Sequence, residues 1–235
     1  MASWFGRSAE RKDQRPGRLK GMLADYPPYR IPFPGLGRSL TIEQAGANLE
    51  HLLAHKAERL AAVRTLLAGS AIDLDAGLRA ADPKPFLDAL WQWTADEWPA
   101  IYDPALASPA RYFDSRRDGA DIAFSLVQDV ALVLGEMVLV RRDDYGWALD
   151  LDPENRGATE GDGMRSWQRP VLLRPADAIV PMILFDMEDV VRTAYISCAK
   201  PGYRFERGLV QAVLDALSGA HERFWRDEAA RTGKA

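Results

Sequence analysis

The chain has 235 residues, of which 47% are hydrophobic and 27% charged, an ordinary globular composition that can bury a sizeable core without disulfides or a structural metal. With 30 basic and 34 acidic residues the formal net charge is -4. The basic excess that displaces counterions from a phosphate backbone is therefore missing, which argues against nucleic acid as a partner.

Residues 1–20 are polar and rich in arginine. They read as a loose tail with a short helix at its end and an apolar handle at Trp4 and Phe5. The start lacks the apolar stretch of a secretory signal. No uninterrupted apolar run reaches the ~18 residues of a membrane span. Residues 21–235 read as a single helical domain with a hairpin inserted at about 146–174.

Tyr26 to Gly37 holds four prolines and is expected to be an extended arm, lying on the body or serving as a docking strip for a partner. Thr41 and Gln44 have capping-box spacing, and Ile42, Ala45, Leu49, Leu52, Leu53, Leu60, Val63 and Leu67 then recur at helical intervals up to Gly69. A short helix follows near Asp75 to Ala81, then another opened by Pro83 and Pro85, then a loop marked by Pro99, Pro104 and Pro109. Ala120 to Val140 is the most apolar segment. Its polar residues Ser125, Gln128, Asp129 and Glu136 form one narrow stripe, so the helix belongs in the middle of a core. Gly146 to Leu151 and Arg169 to Arg174 suit two paired strands, joined by a glycine-rich loop. Helices are expected from Pro181 to Ala199 and from Leu209 to Arg231. The fold class is thus α+β: predominantly α-helical, with a small antiparallel β-hairpin packed on a central buried helix.

Chemistry is sparse in this pattern. His51 and His55 are four apart on a helix and can face one way, which is metal-ligand spacing. Leu52 stands where a zincin carries its glutamate, so no metal site is expected and the pair is only a weak candidate. No nucleophile elbow, phosphate loop or calcium loop is present. The lone Cys198, on a helix rich in aliphatic residues, reads as packing and fits a reducing, cytoplasmic compartment. The acidic groups offer more. Asp129 and Glu136 share a face, and Asp186 and Asp189 share another with Arg192 one turn on, so a ligand site could form where the two helices meet. Ion pairing with nearby arginines (Arg141, Arg142, Arg174 or Arg192) is the plainer expectation. Trp167, in the hairpin loop, is expected to be exposed and available to a partner.

The stretch from Asp121 to Pro175, with DVALVLGEMVLVRRDDYGWALDLDP and RPVLLRP, resembles a loose group of uncharacterised bacterial proteins in which a helix with an LGE-like signature leads to a tryptophan-bearing strand and a proline-valine strand. The resemblance covers about a quarter of the chain; it implies a helix-plus-hairpin core and transfers no site residue.

The leading expectation is a bacterial, cytoplasmic, non-catalytic interaction or immunity-type protein, acting on a protein partner and not on nucleic acid or a membrane, without cofactor, and with room for a homo-oligomer. The alternatives are a small-molecule-binding protein or enzyme built on Asp129, Glu136, Asp186, Arg192 and Trp167, and a metal-dependent hydrolase built on His51 and His55.

Overall fold

A computed structural model describes residues 18–104, 108–156, 166–198 and 208–233. The expected loose tail with Trp4 and Phe5, the glycine-rich centre of the hairpin loop and the expected helix end at Ala199 lie outside these residues. The helices are α1 (Arg18–Met22), α2 (Ile42–Ala68), α3 (Leu74–Arg79), α4 (Lys84–Glu97), α5 (Pro109–Phe113), α6 (Ile122–Leu139), α7 (Pro153–Arg156), α8 (Met187–Ser197), α9 (Gly208–Ser218) and α10 (Ala220–Thr232). The strands are β1 (Gly146–Leu149), β2 (Pro170–Arg174) and β3 (Ile183–Phe185), in the order β1-β2-β3 and antiparallel throughout. The protein is predominantly helical with a small sheet.

The spine is α6. Every residue from Ala123 to Gly135 is buried, and the helix packs against α8, α2 and α9. By length and composition the stretch Gly119–Leu139 could cross a membrane, yet 83% of its apolar window is enclosed by the protein's own elements. Gly135 has a definite reason to be glycine. A Cβ there would lie 2.1 Å from the Trp147 indole of β1, so the bare backbone lets the sheet close on the helix.

The capping box starts α2, with Gln44 N donating to Thr41 Oγ1 at 3.2 Å and Thr41 N to Gln44 Oε1 at 2.9 Å. Its inward face is Ala45, Leu52, Arg59, Val63, Leu66 and Leu67; Ile42 and Leu53 point outward instead. The proline arm lies on the body. Tyr26 and Tyr29 are buried, and the arm's backbone bonds to side chains it crosses: Tyr29 N donates to Ser125 Oγ (2.8 Å) and Phe33 N to Asn48 Oδ1 (3.0 Å).

Three expectations about the C-terminal third need correction. The hairpin is a three-stranded sheet: Ile183, Leu184 and Phe185 pair with Arg174, Leu173 and Leu172. The helix expected from Pro181 starts only at Met187, because the Asp186 carboxylate accepts the Asp189 amide at 2.9 Å and caps it there. The last expected helix is two. Gly219 adopts φ +64, a left-handed conformation that suits glycine and separates α9 from α10.

Candidate functional site

The charged side chains converge on the N-terminal half of α6. The arm contributes Tyr26 and Tyr29, α2 contributes Arg59, the turn before α6 contributes Arg117, β2 is preceded by Arg169, and α8 begins with Asp186 and Glu188. Arg59 grips Asp129 with two bonds, Nε to Oδ1 at 2.9 Å and Nη2 to Oδ2 at 2.6 Å, and also donates to the Pro27 carbonyl at 2.8 Å. The Tyr26 hydroxyl donates to the same carboxylate. Arg117 reaches Glu188 Oε1 at 2.6 Å and Gln128 Oε1 at 3.0 Å. Glu188 also accepts from the Tyr112 hydroxyl at 2.8 Å and from Arg169 at 2.7 Å; Arg169 in turn holds Asp186 at 2.8 Å. The Tyr29 ring lies between two guanidinium groups, Arg59 at 5.6 Å and Arg117 at 5.8 Å from its centroid, and Arg169 stacks on Phe113 at 4.0 Å.

Three guanidinium groups thus face three carboxylates inside the protein. Burial pushes Glu188 up, but Arg117 and Arg169 outweigh it and hold the carboxyl at about 2. For Asp186 burial prevails over the pull of Arg169, and its carboxyl is raised to about 6. Asp129 is likewise raised by burial, against the pull of Arg59 and Tyr26. Burial also raises Tyr26, Tyr29 and Tyr112 above the ordinary phenol value. Chemically this is a paired interior. It ties the arm, α2, β2 and α8 to the spine, with most carboxylate lone pairs taken by neighbours.

The structure brings Asp129 and Asp186 into this one network and leaves the other candidates apart from it. Glu136 lies further along α6 and accepts from Lys56 at 3.1 Å and from the Trp147 indole at 3.0 Å. Arg192 pairs with Asp189 on its own helix at 2.7 Å. Trp167 is half-buried, unlike the exposed residue expected, and its carbonyl lies so close to Gly37 that a Cβ there would be 1.8 Å away. The His51 and His55 rings lie 4.0 Å apart; among the described residues no third His, Cys, Asp or Glu joins them in a metal-sized group. Burial lowers His51 and pushes the Cys198 thiol up to about 11, away from reactivity.

Of the expected pairing partners Arg192 does hold a carboxylate, that of Asp189. Asp129, Glu136 and Asp186 are held by Arg59, Lys56 and Arg169, where Arg141, Arg142, Arg174 or Arg192 is expected from sequence. Arg141 bonds the backbone carbonyls of Met137 and Ala80, and Arg142 bonds that of Ala216 and pairs with Asp144 and Glu222. Arg59 did leave a signal: it stands 7 residues after Leu52 and 4 before Val63, a charge on the apolar stripe of its helix. Arg117, with φ +58 in an irregular turn, left none.

Besides the network there is a groove of about 730 Å³, walled by α1, the arm, the turn after α4 and the first turn of α6, with Leu23, Tyr26, Arg30, Ile101, Tyr102 and Ile122 on its sides. No family model, curated protein or solved structure matches this chain.

Proposed function

We propose that this is a bacterial, cytoplasmic protein that works by presenting a surface to a protein partner, as an immunity-type protein does, without catalysis of its own. The observation that carries the reading is α10. Beyond Gly219 only Glu222 of this helix is buried, while Phe224 and Trp225 are 58% and 40% exposed with ring centroids 5.3 Å apart. Arg142 fastens the helix base through Glu222 at 2.6 Å. Large exposed aromatics on a fastened helix are the composition of an interface centre, where a few such residues supply most of the affinity. The paired interior supports the same reading, because the buried carboxylates already have partners. The single cysteine supports a reducing compartment.

The test is differential capture from the source cell with wild-type protein and the Phe224→Ala/Trp225→Ala variant at matched thermal stability. A partner retained by the wild type and lost by the variant is the expected result. Equal retention by both, or turnover of a substrate without any partner, overturns the reading.

The groove favours a second reading, a small-molecule-binding protein. Its volume of about 730 Å³ falls within the ~300–1,000 Å³ of ligand sites. Asp129 reaches it only through Tyr26, whose ring lines the groove and whose hydroxyl bonds the carboxylate. Ligand-observed NMR with a fragment library decides this: fragments that bind the wild type and not a Tyr102→Ala variant support it, and a library without binders removes it.

A further inference from the structure

Arg117 carries an unmet requirement. Its side chain is 2% exposed, and its two terminal nitrogens have acceptors in Gln128 and Glu188, but Nε has none. A guanidinium can only donate, so a buried Nε–H without an acceptor costs free energy comparable to a lost hydrogen bond. Native interiors meet such demands with a bound water or ion.

A cavity of about 30 Å³ has Arg117 in its wall. Its polar wall includes Arg117, Tyr29, Gln128, Arg169 and Glu188, and Ile31, Leu40, Leu52, Phe113 and Pro170 make an apolar side. Tyr29 is buried, and its hydroxyl makes no hydrogen bond to a described residue. Gln128 spends its Oε1 on Arg117, which leaves its amide N–H groups to give. The polar side of the wall therefore offers donors. Its charged groups are two guanidiniums against one carboxylate, and the space is enough for a water-sized guest. An apolar guest would leave the donors unmet.

We propose that this cavity is a binding site for one single-centre hydrogen-bond acceptor, a water molecule or a halide ion, held by donors on Arg117, Tyr29 and Gln128. The occupant completes the bonding of Arg117, and so of the joint between the turn before α6 and α8. The site is independent of α10 and of any partner.

Crystals of the full chain, grown without halide and then soaked in sodium bromide, test this. The expected result is a density peak within hydrogen-bond distance of Arg117 Nε. An anomalous bromine signal at that peak assigns a halide, and a peak without one assigns water. An empty cavity overturns the proposal. The Tyr29→Phe variant gives a second measurement in solution. Removing a donor from an occupied site lowers the melting temperature by about 2–4 °C. An unchanged or raised melting temperature means the hydroxyl was holding nothing and overturns the proposal.

Discussion

The two helices α6 and α10 are opposites in composition and in placement. The apolar one is enclosed and carries the buried Asp129; the polar one stands in solvent and carries the exposed Phe224 and Trp225. Each breaks the rule of apolar inside and polar outside at one place, and the two breaches differ in kind. The charge on α6 is answered within the molecule by a bidentate arginine and a tyrosine. The aromatics on α10 touch each other and leave half their surface in water. An interior breach must be met internally or the protein unfolds, whereas a surface breach costs the fold little and can be met by another molecule. Stability experiments should therefore separate the two regions.

The largest effect belongs to the interior. Asp129→Ala leaves Arg59 buried without its carboxylate and should cost about 3–5 kcal/mol, read as a fall in the denaturant midpoint. The double variant Arg59→Met/Asp129→Leu removes both charges and should recover most of that loss. If the double variant is as unstable as the sum of the singles, the pair is not the joint described above.

Acid should reveal the second joint, and the sign follows from the two carboxyls. Glu188 is held at about 2 in the folded protein, against ~4.3 in an unfolded chain. A depressed acid contributes stability above its unfolded value and loses it as pH falls, here by about 3 kcal/mol between pH 4.3 and 2. Asp186, raised to about 6 against ~3.9 unfolded, works in the other direction: its contribution is present below pH 3.9 and lost as pH rises through 6. From this pair, stability should rise as pH drops from 7 to about 4 and then fall. In Asp186→Asn, which keeps a good helix cap, the rise should shrink to the part that Asp129, also raised by burial, contributes, while the acid loss remains. Wild-type and variant curves that run parallel from pH 7 to 4 would contradict the assignment.

The legibility of these features in the sequence divides along the same line. Local patterns were readable: the Thr41/Gln44 cap, the narrow polar stripe of α6 and the pairing of Gly146–Leu149 with Pro170–Arg174 all depend on residues near one another in sequence. Strand β3 was not, because Ile183–Phe185 is only three residues long and gains its identity from β2. The carboxylate candidates Asp129, Glu136 and Asp186 were readable as buried acids, but their partners were not. Arg59 lies 70 residues from Asp129 and Arg117 lies 71 from Glu188, and nothing in the local pattern of Arg117 records the meeting. The close approach of the Trp167 carbonyl to Gly37, 130 residues earlier in the arm, is equally unrecorded in the local pattern.

A smaller effect tests how the sheet is seated on α6. Gly135→Ala puts a methyl group 2.1 Å from the Trp147 ring, so the indole must move and its bond to Glu136 must break. Overpacking of this kind costs about 1–3 kcal/mol, partly offset by the better helix propensity of alanine. Unfolding curves and tryptophan emission should both change. Wild-type stability with unchanged emission would mean the indole does not rest on the helix.

The smallest effect should come from α10, and its smallness is informative. In Phe224→Ala/Trp225→Ala the truncated side chains leave no cavity, since both face solvent, and the base of the helix keeps its Glu222–Arg142 pair at 2.6 Å. The folded protein should therefore lose no more than about 0.5 kcal/mol per site, within the range of ordinary surface substitutions. Truncating an interface anchor costs binding about 2 kcal/mol or more, roughly thirty-fold in Kd. A variant that binds its partner at least tenfold more weakly at nearly unchanged stability places the surface breach in an interface. A stability loss as large as that of Asp129→Ala would place these aromatics in the core instead, and the contrast between the two helices would fail.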